Sequence, residues 1–273
     1  MIIVRRYASN MTEILDTQLA AMDEISRGNL EKQVPILSSD EFVRVAEKTN
    51  LMMVGLKERD FCRSSFDKYI SPEVSRKILN DDIAPSGEIL DVTILFSDLR
   101  DFTGFAEKRS PMAVVEMINH YFTEMERVIS DHGGVVLQFV GDEIEAVFDA
   151  VEPKGNHPDQ AVSAALAMRA ALQRLNAQRR ERGEVEIKHG IGIHSGTVLA
   201  GNVGSARRKT YSMLGDTVNL ASRLQVLNKN LATDILISGE TRNRLVLPAS
   251  RLQAMGRHTV KGKTEAVDVY TVV

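Results

Sequence analysis

The sequence predicts an α+β protein: a sheet-and-helix domain of βαββαβ order, preceded by a helical module. Three observations predict it. The first is Val92-Thr93-Ile94-Leu95-Phe96, apolar or β-branched throughout, which breaks abruptly to Ser97-Asp98 and reads as a strand buried on both faces. The second is the order that follows: helix, two strands joined at Gly141-Asp142, helix, strand, which is the ferredoxin-like arrangement. The third is a heptad spacing of apolar residues near the N-terminus.

Composition bounds the rest. A chain of 273 residues can bury a sizeable core and hold more than one domain. A hydrophobic share of 43% and a charged share of 26% are those of a soluble globular protein. The net charge of −3 gives no nucleic-acid or membrane footprint. There is no Trp and only 5% aromatics, which argues against a base-stacking platform. The single cysteine, Cys62, rules out an intrachain disulfide, fits a reducing compartment and reads as inert packing. No apolar run reaches the ~18–20 residues that span a bilayer. Met1-Ile2-Ile3-Val4-Arg5-Arg6 is too short for a signal peptide; it reads as the tail of an upstream membrane helix or as a plain start.

Residues 8–27 read as a helix with Met11, Leu15, Gln18, Met22 and Ile25 at heptad spacing. Arg27-Gly28-Asn29 stops it, and Leu30 and Val34-Pro35 form an extended connector. Ser38-Ser39-Asp40-Glu41 caps a second helix carrying Phe42, Val45, Thr49, Met52 and Leu56. This pattern resembles a HAMP domain, the parallel four-helix module that links membrane helices to cytoplasmic effectors. Arg27-Gly28-Asn29-Leu30, Val34-Pro35 and Ser39-Asp40-Glu41 carry the resemblance. A plain helical hairpin used for dimerisation is the alternative. The expected domains are 1–57 (HAMP-like), 58–87 (a helical linker with a helix start at Ser71-Pro72) and 88–273.

In the last of these, Pro111–Asp131 reads as an amphipathic helix ended by Gly133-Gly134. A hairpin spans 135–149, and a helix runs from His157-Pro158 to about Arg182. Residues 184–193 and 197–202 read as two strands around a turn at His194-Ser195-Gly196, where His194 is expected to hydrogen-bond locally. A strand at 210–214, a helix at 216–227, a strand at 234–238, a short helix at 239–245 and a β pair at 252–260 and 266–272 complete the chain.

Asp98 stands at a strand's exit, and Asp142 stands in a tight Gly-Asp turn. If the hairpin lies beside the first strand, the two carboxylates converge. Two carboxylates on rigid strand ends, with a backbone carbonyl nearby, suit a hard cation that takes oxygen ligands.

Four segments resemble the catalytic domain of the class III nucleotidyl cyclases. They are Val92-Thr93-Ile94-Leu95-Phe96-Ser97-Asp98, Phe139-Val140-Gly141-Asp142-Glu143, the stretch Leu214–Arg223, and Val260-Lys261-Gly262-Lys263. The resemblance covers residues 88–273, and 58–87 resembles the short transducer found before this domain in many bacterial members. It implies conversion of a nucleoside triphosphate to its 3′,5′-cyclic monophosphate and pyrophosphate by in-line phosphoryl transfer. It implies two Mg²⁺ (or Mn²⁺) per site on Asp98 and Asp142, with the Leu99 carbonyl completing the shell. Arg223 is implied at the α-phosphate, Asn219 at the ribose, Lys261 at the triphosphate and Arg207 at the β-phosphate.

The base-reading pair departs from the family pattern. Adenylyl cyclases usually carry Lys at the position of Gln138 with Asp or Thr at that of Ser212; guanylyl cyclases usually carry Glu with Cys or a small residue. A Gln amide offers a donor and an acceptor, and rotated it suits either purine. ATP is the expected substrate and GTP the alternative; a catalytically silent signalling domain is a further one. The Gly-Gly-Asp-Glu-Phe turn of diguanylate cyclases is missing. The resemblance also implies a homodimer with shared active sites, and an upstream sensor in the inner or plasma membrane with this part on the cytoplasmic side.

Overall fold

A computed structural model of the chain describes residues 2–36, 41–66, 74–75, 77, 87–150, 155–246, 251–260 and 265–273. The chain divides into two compact units, residues 1–69 and 70–273.

The first unit pairs helix α1 (Ile2–Ser26) with α2 (Glu41–Phe66). Gln18 donates its amide to the Phe42 carbonyl at 3.0 Å, and Lys57 pairs with Glu31 at 3.2 Å. Position 18 thus lies beside 42 and position 31 beside 57, so the helices run the same way. Asn50 holds the connector, accepting from the Val34 N–H at 2.8 Å and donating to its carbonyl at 3.0 Å. The buried face is Ala21, Ile25, Val34, Ala46 and Met53, joined by Gln18 and Thr49. This corrects the predicted seam: Leu15, Val45 and Met52 are exposed. The small Ala21 and Ala46 take the contact because they let the two backbones approach. Helix α2 also continues unbroken past residue 57, and Cys62 is exposed, not packed. The helix start expected at Ser71-Pro72 lies outside the described residues. Among the described residues no helix is long and apolar enough to cross a membrane.

The second unit runs β1 (Glu88–Leu99), α3 (Phe102–Ala106), α4 (Pro111–Asp131), β2 (Gly134–Val140), β3 (Glu143–Phe148), α5 (His157–Glu181), β4 (His189–Gly204), β5 (Lys209–Leu214), α6 (Asp216–Leu231), β6 (Ile235–Ser238), α7 (Gly239–Arg244), β7 (Leu252–His258) and β8 (Val267–Val272). The strands form one sheet in the order β2-β3-β1-β4-β6-β8-β7, with β5 paired to β4. The first four pair antiparallel, which is the predicted βαββαβ core. Leu95 and Leu99 pack with α4 and α5, while Val92, Ile94 and Phe96 face the opposite side with Ala221 of α6. The two buried hydroxyls of β1 are satisfied on the helix side: Thr93 meets His157 Nδ1 at 2.8 Å, and Ser97 meets the Tyr121 hydroxyl at 3.1 Å.

Strand β4 departs from the prediction. It is one strand, its pairing with β1 unbroken from His189 to Ala200, where a turn was expected at His194. His194 bonds not locally but to Ser238 Oγ, at the end of β6, at 2.7 Å, from a strand interior. The strand also starts later than expected. Asn176 takes both backbone groups of Ile187, at 2.9 and 2.8 Å, in place of a ladder. Gly192 lets α6 lie on the sheet: a Cβ there would sit 2.2 Å from the Gln225 nitrogen and 2.3 Å from the Ala221 oxygen. Gly192→Ala should therefore push α6 away and cost about 3 kcal/mol. A thermal unfolding curve checks this, and an unshifted midpoint would refute the close-approach account.

Candidate active site

Strand β1 stops sharply after Asp98 and Leu99. Asp101 adopts φ 56, a left-handed conformation that Asp tolerates, and starts α3. The Arg100 N–H donates to the Lys188 carbonyl at 2.8 Å and its guanidinium to the Thr233 carbonyl, so the exit is anchored on both sides. Opposite it, Val140 pairs with Glu143 and leaves Gly141-Asp142 as a two-residue turn. Gly141 has φ +64 and Asp142 has no positive φ, the pattern of a type II′ hairpin. Asp98 pairs with Glu143, which sets the Asp142 turn beside the end of β1.

The two carboxyls come within hydrogen-bonding reach. Asp98 is pushed up to about 7, first by burial, then by the hydrogen bond and charge of Asp142 and the charge of Glu143; the Leu99 backbone opposes this. Glu143 is raised as well, by burial and then by Glu145 and Asp142. Acidic groups crowded in this way favour a bound cation. Among the described residues no three His, Cys, Asp or Glu side chains cluster as metal ligands.

A cavity of about 520 Å³ opens here, lined by Asp98, Asp142, the Asp101–Gly104 segment, and Gln225, Val226 and Lys229 of α6. The α6 residues escaped the sequence reading, which looked only at positions 219 and 223. A larger cavity of about 680 Å³ is lined by Phe102, Phe105, Arg109, Met117 and Lys188. It shares the Leu99–Phe102 segment but not Asp98 or Asp142, so the carboxylate chemistry belongs to the smaller one. Beneath the strand end, Ser97, Tyr121 and His189 form a buried hydrogen-bonded chain with both links at 3.1 Å. Burial pushes the His189 imidazole down to about 4, so it stays neutral. No sequence signal marked this chain.

The other predicted residues do not gather at the carboxylates. Gln138 is exposed on β2, on the sheet face that also carries Glu145. Ser212 pairs with Gly201, across β4 from residue 87, while Asp98, one residue before the end of β1, stands eleven residues further on. That separation is roughly 36 Å at ~3.3 Å per residue. Arg207 is exposed in the turn between β4 and β5. Asn219 is exposed on α6, and Arg223, partly buried four residues on, has an Nη1 shielded from solvent with no hydrogen-bond partner among the described residues. Lys261 lies outside the described residues.

Residues 85–273 match the family model described as the adenylate and guanylate cyclase catalytic domain. Adenylate cyclase 1 of Rhizobium meliloti is 37% identical over 183 residues, 67% of this chain and 27% of that protein. An adenylate cyclase of Anabaena cylindrica is 34% identical over 265 residues, 91% of this chain and 52% of that protein. The chain thus spans about half, or less, of the length of these relatives. The crystal structure of the adenylyl cyclase CyaB from P. aeruginosa matches with TM-score 0.63 and 32% identity, over 68% of this chain and 95% of that one. That of a guanylyl cyclase matches with TM-score 0.61 and 35% identity, over 68% and 93%.

Proposed function

The chain belongs to the adenylate and guanylate cyclase catalytic-domain family, and from that premise we propose that it converts ATP to 3′,5′-cyclic AMP and pyrophosphate. The observation that carries this is the convergence of Asp98 and Asp142 at a cavity mouth. In the reaction the ribose 3′ oxygen bonds to the α-phosphorus, the bond to the β-phosphate oxygen breaks, pyrophosphate leaves and the hydroxyl proton is lost. Asp98 and Asp142, with the Leu99 carbonyl, are the residues that would hold two Mg²⁺ or Mn²⁺. When bound, such ions lower the 3′-hydroxyl pKa and offset the phosphate charge.

The remaining work is positioning and charge stabilisation. Arg223 brings a guanidinium whose Nη1 makes no hydrogen bond among the described residues and stands 3.9 Å from Asp216 Oδ1, suited to an α-phosphate oxygen on which charge builds. Asn219, one helical turn earlier, orients the ribose. Lys261 and Arg207 bind the triphosphate. Gln138 and Ser212 face the base.

Because Ser212 and Asp98 stand at opposite ends of β1, one chain cannot offer both to one nucleotide. The active unit is therefore a homodimer, each site built from two chains. The adenylate cyclases among the relatives support ATP. The 35% identity to a guanylyl cyclase structure, with a Gln-Ser pair typical of neither class, supports GTP as a second reading. The test is turnover of ATP and GTP side by side with Mg²⁺ and with Mn²⁺; no cyclic nucleotide from either would refute the assignment.

The parallel course of α1 and α2 supports a HAMP-type control module that passes a rotation from a membrane-borne sensor into the catalytic pair. Deleting four residues within 57–66 slips the heptad register by more than a helical turn. Activity should then change severalfold while the circular dichroism of the catalytic domain is kept. Unchanged activity would mean that these helices do not control the enzyme.

A further inference from the structure

Strand β2 carries a bulge at the base-reading residue. Val136 pairs with Ala146 and Gln138 with Glu145, so Leu137 is the extra residue. A bulge re-aims the side chain that follows it. Here it brings Gln138 directly opposite Glu145, and the Gln138 Nε2 donates to Glu145 Oε2 at 2.7 Å. The partners differ in exposure: Glu145 is 7% exposed, while Gln138 is open. A buried carboxylate therefore tethers one edge of an exposed amide. Glu145 also stands two pairs from the catalytic end, since β1 pairs Phe96 with Glu145 and Asp98 with Glu143.

An ionised carboxylate only accepts hydrogen bonds, so it takes the NH₂ side of an amide and repels the carbonyl side. A free Gln amide reads both purines, because a half-turn exchanges its donor and acceptor. Adenine presents an N6 amino donor beside the N1 acceptor; guanine presents an O6 acceptor beside an N1 donor, the reverse order. With its NH₂ held by Glu145, Gln138 keeps Oε1 and one N–H in a fixed order.

We infer that Glu145 is a positioning residue that locks the Gln138 amide in one of its two orientations and so sets the purine choice of the enzyme. This rests on the cyclase reading above. Turning the amide over would break a charge-assisted hydrogen bond and aim Oε1 at the carboxylate. That is worth about ten- to a hundredfold in discrimination.

The experiment measures kcat/KM for ATP and for GTP on the full chain, in wild type, Glu145→Gln, Gln138→Leu and the double variant. Glu145→Gln, close to isosteric, should lower the ATP-to-GTP ratio about tenfold or more, mainly through KM. In the Gln138→Leu background the same change should leave the ratio flat, because no amide remains to orient. If Glu145→Gln does not fold, Glu145→Asp, which withdraws the carboxylate by one methylene, is read in the same way. A structural role alone would move both substrates together and leave the ratio fixed; that result overturns the inference while the cyclase reading stands. A wild-type chain that makes neither cyclic nucleotide overturns both.

Discussion

Replacing Asp98 or Asp142 by alanine should lower nucleotide turnover about a thousandfold, the equivalent of ~4 kcal/mol of transition-state charge stabilisation. Each change removes one of two carboxylates that the register of β1 and β3 holds together. Neither side chain is part of the apolar core, so both variants should fold. Titration without metal reads the same pair independently of turnover. Asp98 is pushed up to about 7 from its ordinary value of 3.8. The folded protein therefore binds more protons than the unfolded chain between these values, and its stability falls as pH rises through that window. Added Mg²⁺ or Mn²⁺ should raise the melting temperature most above pH 7, where Asp98 is ionised. Asp98→Asn should remove the Asp98 share of the pH slope and most of the metal response. Full turnover in both alanine variants would sink the two-metal assignment.

The carboxylate pair was legible because both residues sit where local rules are strong. The apolar run through Phe96 could only be a buried strand, and Gly141-Asp142 could only be a tight turn. Convergence then followed from hairpin geometry. What the sequence hid was set by contacts between distant segments. The His194-Ser195-Gly196 stretch looked like a turn because Gly196 serves α6, where a Cβ would sit 2.8 Å from Thr217 Oγ1, and not its own strand. Residues 184–188 looked like a strand because nothing local shows that Asn176 occupies Ile187. In the N-terminal pair, heptad spacing found the right helices but a face one residue off at Ala21, Ala46 and Met53. Large apolar side chains dominate a periodicity reading, whereas alanines decide how closely two helices pack. Glu145 was visible only as a charge inside a strand. Its meaning needs the bulge at Leu137, which a two-residue period cannot reveal.

The separation along β1 leads to the second large effect. An Asp98→Ala chain and an Arg223→Ala chain should each be nearly inactive alone, yet regain activity when mixed. Ser212 lies at the start of β1 across β4, and Asp98 lies near its end, roughly 36 Å away at ~3.3 Å per residue. Under the proposed shared site, a nucleotide held by Asp98 of one subunit meets Ser212 on another. A two-fold dimer makes two such sites from one sequence. In a mixed dimer one site carries both lesions and the other carries neither. Random pairing gives half the dimers as mixed, each with one intact site of two, so recovery should reach at most about a quarter of wild type. If each chain built a complete site alone, every site in the mixture would carry a lesion and no recovery could occur. Titrating one inactive variant into the other, with heterodimers verified by differential tagging, separates the two cases. A turnover that never rises across that titration would overturn the shared site, and with it the roles assigned to Gln138, Ser212, Asn219 and Arg223 across the interface.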